Sequence, residues 1–169
     1  VVAMGAQGAT PPGIGVVEGN EIPYLPAAAK IKEENYAKRL ALDPETKCYL
    51  PGVPRATYMP YPFQILQSAQ SLMIAYEYAG AARNINMGKP QEPPTDSWMG
   101  WSNGHWEGDT LVVDVIGLND STWFDRAGDF HSDSLHVLER YTPVSADTIQ
   151  DQATIDDPKT FSRPWKINM

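Results

Sequence analysis

The sequence predicts a mainly β protein, either an antiparallel, lipocalin-like barrel or a two-sheet sandwich, with one N-terminal helix and an extended N-terminal arm. Seven or eight short segments alternate apolar and polar residues with the period of two that strands require. The 15 prolines and 13 glycines among 169 residues provide the many turns of such a fold. A central segment, residues 98–117, is typical of a β-hairpin, because Gly108 lies in a tight turn between two extended runs.

The first 47 residues form the predicted appendage of the β domain. Residues 1–25 are rich in Gly, Pro and Ala and lack an apolar period, so we expect an extended arm with little structure of its own. Residues 27–42 are the only good helix candidate, with Pro26 at or near the first turn. The apolar stripe of this helix is narrow, which predicts a helix on the surface of the domain. The β domain then spans residues 48–169.

The β domain begins with a proline-rich segment. Residues 48–62 contain four prolines and three tyrosines, which excludes a central strand and predicts a segment wrapped over a sheet edge or a barrel mouth. Strands are predicted at residues 63–67, 71–78 and 82–87. In the second of these, Leu72, Ile74 and Tyr76 share the face that we expect to be buried.

The central hairpin is followed by a loop and three more predicted strands. Within the hairpin, Leu111, Val113 and Val115 share one face of the second arm, and Asp114 takes the other. Residues 118–133 carry four aspartates and form a loop of the length that is often functional. Strands are predicted at residues 134–141, 148–155 and 161–168, and Pro164 restricts the last of them to a sheet edge.

The composition excludes several classes of partner. With 21 acidic and 13 basic residues the net charge is −8, so nucleic acid and anionic membrane surfaces are disfavoured. No apolar run approaches about 18 residues, so we expect no membrane span. A single cysteine excludes an internal disulfide framework, and only three histidines accompany it. We therefore expect neither a metal site nor a cofactor.

The sharpest candidate for catalysis is the group Asp129, His131 and Asp133. In an extended segment these residues, spaced two apart, point the same way. A histidine between carboxylates has its charged form favoured and can serve as a general acid or base. The alternative, which we favour, is a solvated acidic loop whose aspartates cap turns. In that case we expect substitution of His131 to disturb folding less than substitution of Trp106, whose ring we expect to be buried.

The aromatic residues indicate a ligand site. Aromatic side chains over a sheet cavity are typical of sites for apolar ligands or sugars, and the candidates here are Trp123, Phe124, Trp101 and Tyr76. Adjacent residues of an extended segment point to opposite sides, so at least one of Trp123 and Phe124 is expected to be exposed. We expect their loop to lie over the mouth of a barrel, with His131 near the rim. The alternative is a layer of aromatic side chains that seals the ends of the barrel.

Several runs of residues resemble one protein family. They are CYLPGVPR from Cys48, WMGWSNGHWEGDTLVVDVIG from Trp98, and the later runs WFDRAG, FHSDSLHVLERY and TIDDPKTFSRPW. In these motifs the chain resembles a large uncharacterised family of secreted bacterial proteins, common in proteobacteria and acidobacteria. The resemblance implies an export signal upstream of Val1 and hence a periplasmic or extracellular location. It implies no activity and no functional residues.

Three functions are compatible with these patterns. The first is a binding protein for a small apolar or aromatic molecule held in the β-barrel cavity. The second is a lyase, isomerase or hydrolase that uses the same cavity, with His131 as base and Asp129 or Asp133 orienting it. The third is a structural subunit of an extracellular assembly, a homo-oligomer in which residues 1–25 add to the sheet edge of a neighbour.

Overall fold

The computed structural model describes residues 15–169, so the first fourteen residues of the predicted arm lie outside the described part. The helices are α1 (Pro26–Ala37), α2 (Arg39–Leu42) and α3 (Arg55–Tyr58), and 3-10 turns occur at Glu18–Asn20, Pro44–Lys47 and Tyr78–Gly80. The strands are β1 (Val16–Val17), β2 (Phe63–Gln67), β3 (Ser71–Tyr76), β4 (Ala82–Asn86), β5 (Trp101–Glu107), β6 (Thr110–Ile116), β7 (His136–Pro143), β8 (Ile149–Asp156) and β9 (Trp165–Asn168).

All nine strands form one sheet in the order β1-β9-β8-β7-β6-β5-β4-β3-β2. Neighbouring strands are antiparallel except β4 and β5, which run parallel and pair Ile85 with Ser102. The mainly β prediction is therefore confirmed. The sheet is mixed rather than wholly antiparallel, and it is a single sheet, which corrects the two-sheet sandwich.

The sheet curls around its buried face. Strands β2 and β8 lie six positions apart in the sheet order, which in a flat sheet would separate them by about 29 Å. Ile65 of β2 and Ile149 of β8 nevertheless line the same cavity. Among the described residues no pairing joins the edge strands β1 and β2, so the sheet is open and a closed barrel is not confirmed.

The predicted central hairpin is formed by β5 and β6. Its register runs from Trp101 opposite Ile116 to Glu107 opposite Thr110, with Gly108 at a φ of +61° in the two-residue turn. Gly104 allows β4 to pack closely against it, because a Cβ atom there would lie 2.6 Å from the Ile85 side chain. The hairpin occupies the middle of the sheet, as expected.

One hydrophobic core lies between the sheet and the segments that cover it. The alternation of Leu72, Ile74 and Tyr76 is confirmed, since all three side chains are buried. Residues 51–59 are all buried, and they contribute Val53, Tyr58 and Met59 to the core, together with Phe124 and Phe161 from later loops. The proline-rich segment thus covers the face of the sheet and not its edge or mouth.

The predicted helix is present but interrupted, and one short helix was not expected. Residues 27–42 contain α1 and α2, which are separated at Lys38, whereas α3 lies inside the proline-rich segment. Gly128, at a φ of +85°, brings the long loop against α1, because a Cβ atom there would lie 2.8 Å from Asn35. Within the described part of the chain, no helix is both long and apolar enough to cross a membrane.

The described end of the arm and the last strand both depart from prediction. Residues 15–25 were expected to have little structure of their own, yet Val17 of β1 is buried and pairs with Ile167. Further along, Tyr24 forms a bridge with Phe161. Strand β9 lies between β8 and β1 and is therefore not an edge strand. Pro164 precedes β9, so it removes no hydrogen bond from the ladder.

Candidate functional site

His131 is a buried residue with a hydrogen bond to each ring nitrogen. Its Nε2 lies 2.7 Å from the Thr122 hydroxyl, and its Nδ1 lies 2.8 Å from the Ser132 carbonyl oxygen. The side chain also packs against the Phe124 ring, with centroids 5.2 Å apart. Burial lowers the pKa of His131 below its ordinary value. These contacts place a neutral imidazole in the interior, which corrects the expectation of a histidine near an exposed rim.

Asp129 belongs to a different group of side chains. The Tyr24 hydroxyl donates to its Oδ1 at 2.8 Å, and the Asp125 carboxyl lies close by. Asp125 accepts hydrogen bonds from the backbone N–H groups of Ala127 and Asp129. Burial, followed by the charge on Asp129, raises the pKa of Asp125 well above its ordinary value. Asp129 therefore helps to fix the loop and the chain that leads into α1.

Asp133 is exposed and forms an ion pair with Lys159 at 2.6 Å. The Lys159 ammonium lowers the pKa of this carboxyl. The expected common direction of Asp129, His131 and Asp133 is wrong, because the segment is not a regular strand and each side chain has its own partners. The structure does not bring these three residues together as an acid–base unit.

Trp123 and Phe124 are both buried, which corrects the expectation that one of them is exposed. Their exposed fractions are 8% and 1%, because the loop folds back through a bridge between Trp123 and Phe130 instead of running extended. Phe124 packs edge-on against Trp165, with ring centroids 5.6 Å apart. The loop therefore supplies Phe124 to the core, whereas Trp123 lines a cavity of about 430 Å³.

The other two predicted ligand-binding residues are Tyr76, which is buried, and Trp101, which lines a separate cavity of about 300 Å³. Tyr76 is buried and its hydroxyl lies 3.1 Å from that of Thr57. Trp101 is half-buried at the start of β5. Trp106 corrects a different expectation: 49% of it is exposed, although a buried ring was predicted.

An apolar cavity of about 170 Å³ opens at the end of the sheet where the hairpin turns lie. Most of its lining is aliphatic and comes from strands β2 to β8: Ile65, Leu72, Ile74, Ile85, Leu111 and Ile149. Trp106 and Pro143 contribute to its wall, and Tyr141 places a phenol there. None of the predicted residues Trp123, Phe124, Trp101 and Tyr76 lines this cavity.

Next to the cavity, the buried face of the sheet carries a cluster of ionisable side chains, here named the Arg83 cluster: Arg83, Ser102, Glu139, Tyr141 and Asp151. The Arg83 guanidinium donates from Nη2 to Glu139 Oε2 at 2.5 Å and from Nε to the Ser102 hydroxyl at 2.8 Å. The Tyr141 hydroxyl donates to Glu139 Oε1 at 3.0 Å. All five residues are at most 6% exposed.

Besides Arg83 Nη1, which has no hydrogen-bond partner in the described chain, the unsatisfied member of the Arg83 cluster is Asp151. It faces Tyr141 across the β7–β8 ladder, and neither of its carboxyl oxygens makes a hydrogen bond within the described chain. Burial, followed by the charge on Glu139, raises the pKa of Asp151 well above its ordinary value. Burial and the charge of Asp151 likewise raise the pKa of Tyr141. The cluster thus combines one guanidinium with two carboxyl groups, and the pKa of one of them, Asp151, is raised.

This arrangement can recognise a polar group on a ligand. A neutral carboxyl offers one hydrogen-bond donor and retains acceptor capacity. The Tyr141 phenol lies between that carboxyl and the apolar cavity, since it lines the cavity and belongs to the cluster. A ligand in the cavity therefore meets mainly apolar walls, and Gln67, Asp109 and Tyr141 are the polar residues among them.

The Arg83 cluster had a signal in the sequence. Glu139 lies two residues from Val137 and two from Tyr141, so the three share a face of their strand. Arg83 has the same relation to Ala81 and Ile85. Asp151 precedes the buried Ala153 by two residues. A charged residue at a core position of a period-two pattern is uncommon and marks a paired or functional group. What the pattern does not reveal is that three separate strands bring these side chains together.

Among residues 15–169, no group of three or more His, Cys, Asp or Glu side chains could hold a metal ion. Comparison with known proteins finds no matching family model, no matching curated protein and no matching solved structure.

Proposed function

We propose that the protein binds a small, mainly apolar ligand in the cavity on the buried face of its curled sheet, much as lipocalin-like barrels hold ligands. The observation that carries the proposal is the aliphatic cavity of about 170 Å³ with the Tyr141 phenol in its wall. A dry apolar cavity of roughly 150 Å³ suffices to bind benzene. The matching ligand is therefore about the size of one aromatic ring.

The rim of the cavity supports entry from solvent. Ile65, Trp106 and Ile149 line the cavity and are 40%, 49% and 52% exposed. Exposed apolar side chains of this kind, grouped around one opening, are typical of binding sites. The polar group of the ligand is expected at Tyr141, beside the unsatisfied Asp151 carboxyl.

Isothermal titration calorimetry with 4-methylphenol and indole tests this proposal. In Ile149→Trp the larger ring fills the mouth, so affinity is expected to fall by at least about tenfold, which corresponds to 1.4 kcal/mol. Val144→Trp is the matched control, because Val144 lies beside the same β7–β8 turn, is 56% exposed and does not line the cavity. Equal binding by both variants, or no binding by the native protein, would show that the cavity is not a ligand site.

We rank the two other functions below ligand binding. An enzyme that uses His131 with Asp129 or Asp133 is less well supported, because these residues have separate partners. A structural subunit joined through residues 1–25 is also less well supported, since residues 15–25 pack against their own chain. Membership of the secreted bacterial family and a periplasmic or extracellular location are proposals that depend on the sequence resemblance, and fractionation of cells that express the full gene tests the location.

A further inference from the structure

A second, larger cavity lies on the other side of the covering segment, and its lining differs from that of the apolar cavity. It measures about 430 Å³ and is lined by Tyr49, Tyr61, Tyr78 and Trp123, together with Glu45, Glu77 and Arg55. Four aromatic rings and two carboxylates thus border a space large enough for a small polar molecule. We refer to it as the aromatic cavity.

The aromatic rings of this cavity are held in place by other side chains. The rings of Tyr61 and Tyr78 are nearly parallel, with centroids 5.2 Å apart and planes inclined by 5°. Tyr49 stacks on Trp98, with centroids 4.9 Å apart. Tyr61 remains 39% exposed. Rings fixed in this way need little ordering when a ligand binds, which favours binding.

Most of the charge beside the aromatic cavity is already balanced. Arg55 forms two hydrogen bonds with Asp43, at 3.0 and 3.1 Å, and one with Glu45 at 3.0 Å. Arg126 also binds Glu45 through two nitrogen atoms. The two guanidinium groups therefore compensate the carboxylates of Asp43 and Glu45.

Glu77 is a carboxylate of the aromatic cavity that neither Arg55 nor Arg126 compensates. Its side chain is exposed and makes no ion pair or side-chain hydrogen bond within the described residues. The Lys47 ammonium lies over the Tyr49 ring, 5.8 Å from its centroid, whereas Glu77 adds a carboxylate without a cationic partner to the wall of the cavity, in a chain whose net charge is −8. Such a field attracts cations. The faces of aromatic rings, together with an unpaired carboxylate, are the groups that bind alkylated ammonium ions.

We propose that the aromatic cavity binds a small quaternary ammonium compound, with the cation beside Tyr61, Tyr78 and Glu77. Arg55 also lines the cavity, and its Nε hydrogen has no acceptor in the described chain. An oxygen atom elsewhere on the ligand can accept from it. This site is separate from the apolar cavity, so the test of this proposal is independent of the test of the function proposed above.

Calorimetric titration with choline and with its neutral isostere 3,3-dimethylbutan-1-ol tests the proposal. The two probes have the same shape and differ in the charge, so choline is expected to bind about tenfold more tightly. Equal affinity for the two probes would overturn the proposal. Binding of a neutral disaccharide such as cellobiose, without binding of choline, would also overturn it and assign the cavity to sugars.

Two variants and two matched controls connect binding to the named residues. Glu77→Gln and Tyr61→Leu are each expected to weaken choline binding about fivefold or more. The controls are Glu33→Gln and Tyr36→Leu on α1, where both residues are exposed and neither lines the cavity. Controls that weaken choline binding equally would refute the assignment. Cosedimentation with phosphatidylcholine vesicles separates the two sources of the cation: binding to choline alone indicates a free ligand, and binding to both indicates a lipid headgroup.

Discussion

The molecule contains two buried arginine clusters that differ in their balance of charge. The Arg83 cluster has one guanidinium beside the carboxyl groups of Glu139 and Asp151. The second cluster, here named the Arg55 cluster, pairs the guanidinium groups of Arg55 and Arg126 with the carboxylates of Asp43 and Glu45. Arg83 and Arg55 are similarly buried, at 3% and 1% exposed. The clusters differ in stoichiometry and also in depth, because the side chains of Arg126 and Glu45 are 20% and 35% exposed, whereas Glu139 and Asp151 are buried.

This difference indicates which cluster is structural. The Arg55 cluster joins the segment that begins at Asp43 to the loop that contains Arg126, and all its charges are compensated. Hydrogen bonding by Arg126, against some desolvation, lowers the pKa of Glu45. In the Arg83 cluster the second carboxyl, Asp151, makes no side-chain hydrogen bond within the described chain, and burial raises its pKa. A buried unsatisfied group of this kind requires an explanation, and the ligand proposed for the apolar cavity would provide one.

The largest effect is expected for Arg83→Met. Loss of the guanidinium leaves the Glu139 carboxylate buried without a cation, which typically costs about 3–5 kcal/mol of folding free energy. Urea unfolding at pH 7 measures this change. The control is Arg140→Met, which removes an ion pair to Glu107 at 2.7 Å in which both side chains are well exposed, and a far smaller change is expected there. Similar losses in the two variants would contradict the interpretation of Arg83 as the cation that compensates buried Glu139.

A smaller effect is expected for Arg55→Met, about 2–4 kcal/mol by the same measurement. Asp43 loses its cation and is only 5% exposed, but Arg126 continues to compensate Glu45. The Arg55 cluster thus retains a second guanidinium group after the substitution, whereas the Arg83 cluster retains none. A greater loss for Arg55→Met than for Arg83→Met would contradict the interpretation of the two clusters.

His131 is a buried polar side chain in which both ring nitrogens have hydrogen-bond partners, in contrast to Asp151. His131→Ala leaves the Thr122 hydroxyl and the Ser132 carbonyl without their buried partner, which is expected to cost about 2–3 kcal/mol. Trp106→Ala is expected to cost only about 1 kcal/mol, because roughly half of the side chain is already in solvent. This order reverses the one that the sequence alone predicts. Thermal or urea unfolding of both variants checks it, and a larger loss for Trp106→Ala would restore the original order.

The strands were predictable because burial on one face leaves a period of two in the sequence. The hairpin of β5 and β6 was also recognisable, since a turn residue with positive φ separates two such periods. The parallel pairing of β4 with β5 was not predictable, because it depends on where the loop between them returns and not on either strand. Gly104 permits this close packing of β4 against β5, because it has no side chain. Its role is apparent only once Ile85 is known to lie against it.

The predicted site was less accurate than the predicted strands, for a physical reason. Spacing places Asp129, His131 and Asp133 on one side only if their backbone is extended, and turns in the loop give each residue a separate environment. Composition also cannot distinguish an exposed polar loop from one whose polar side chains are buried and paired. Conversely, Glu139 and Asp151 lie at core positions of regular strands, where a charged residue is itself the signal.

The most specific effect is the dependence of stability on pH that Asp151 causes. Because the folded-state pKa of Asp151 is raised, the folded protein retains a proton that the unfolded chain releases above about pH 4. Stability is therefore full below the unfolded pKa and falls as pH rises towards the folded pKa, with a slope of up to about 1.4 kcal/mol per pH unit. Asp151→Asn removes this dependence, so its stability relative to the native protein is expected to increase between pH 4 and pH 8. The control is Asp133→Asn, since Lys159 lowers the pKa of Asp133 and its contribution is lost only as pH falls. A difference between Asp151→Asn and the native protein that stays constant over this range would show that Asp151 is ionised when folded, and the distinction drawn between the two arginine clusters would then fail.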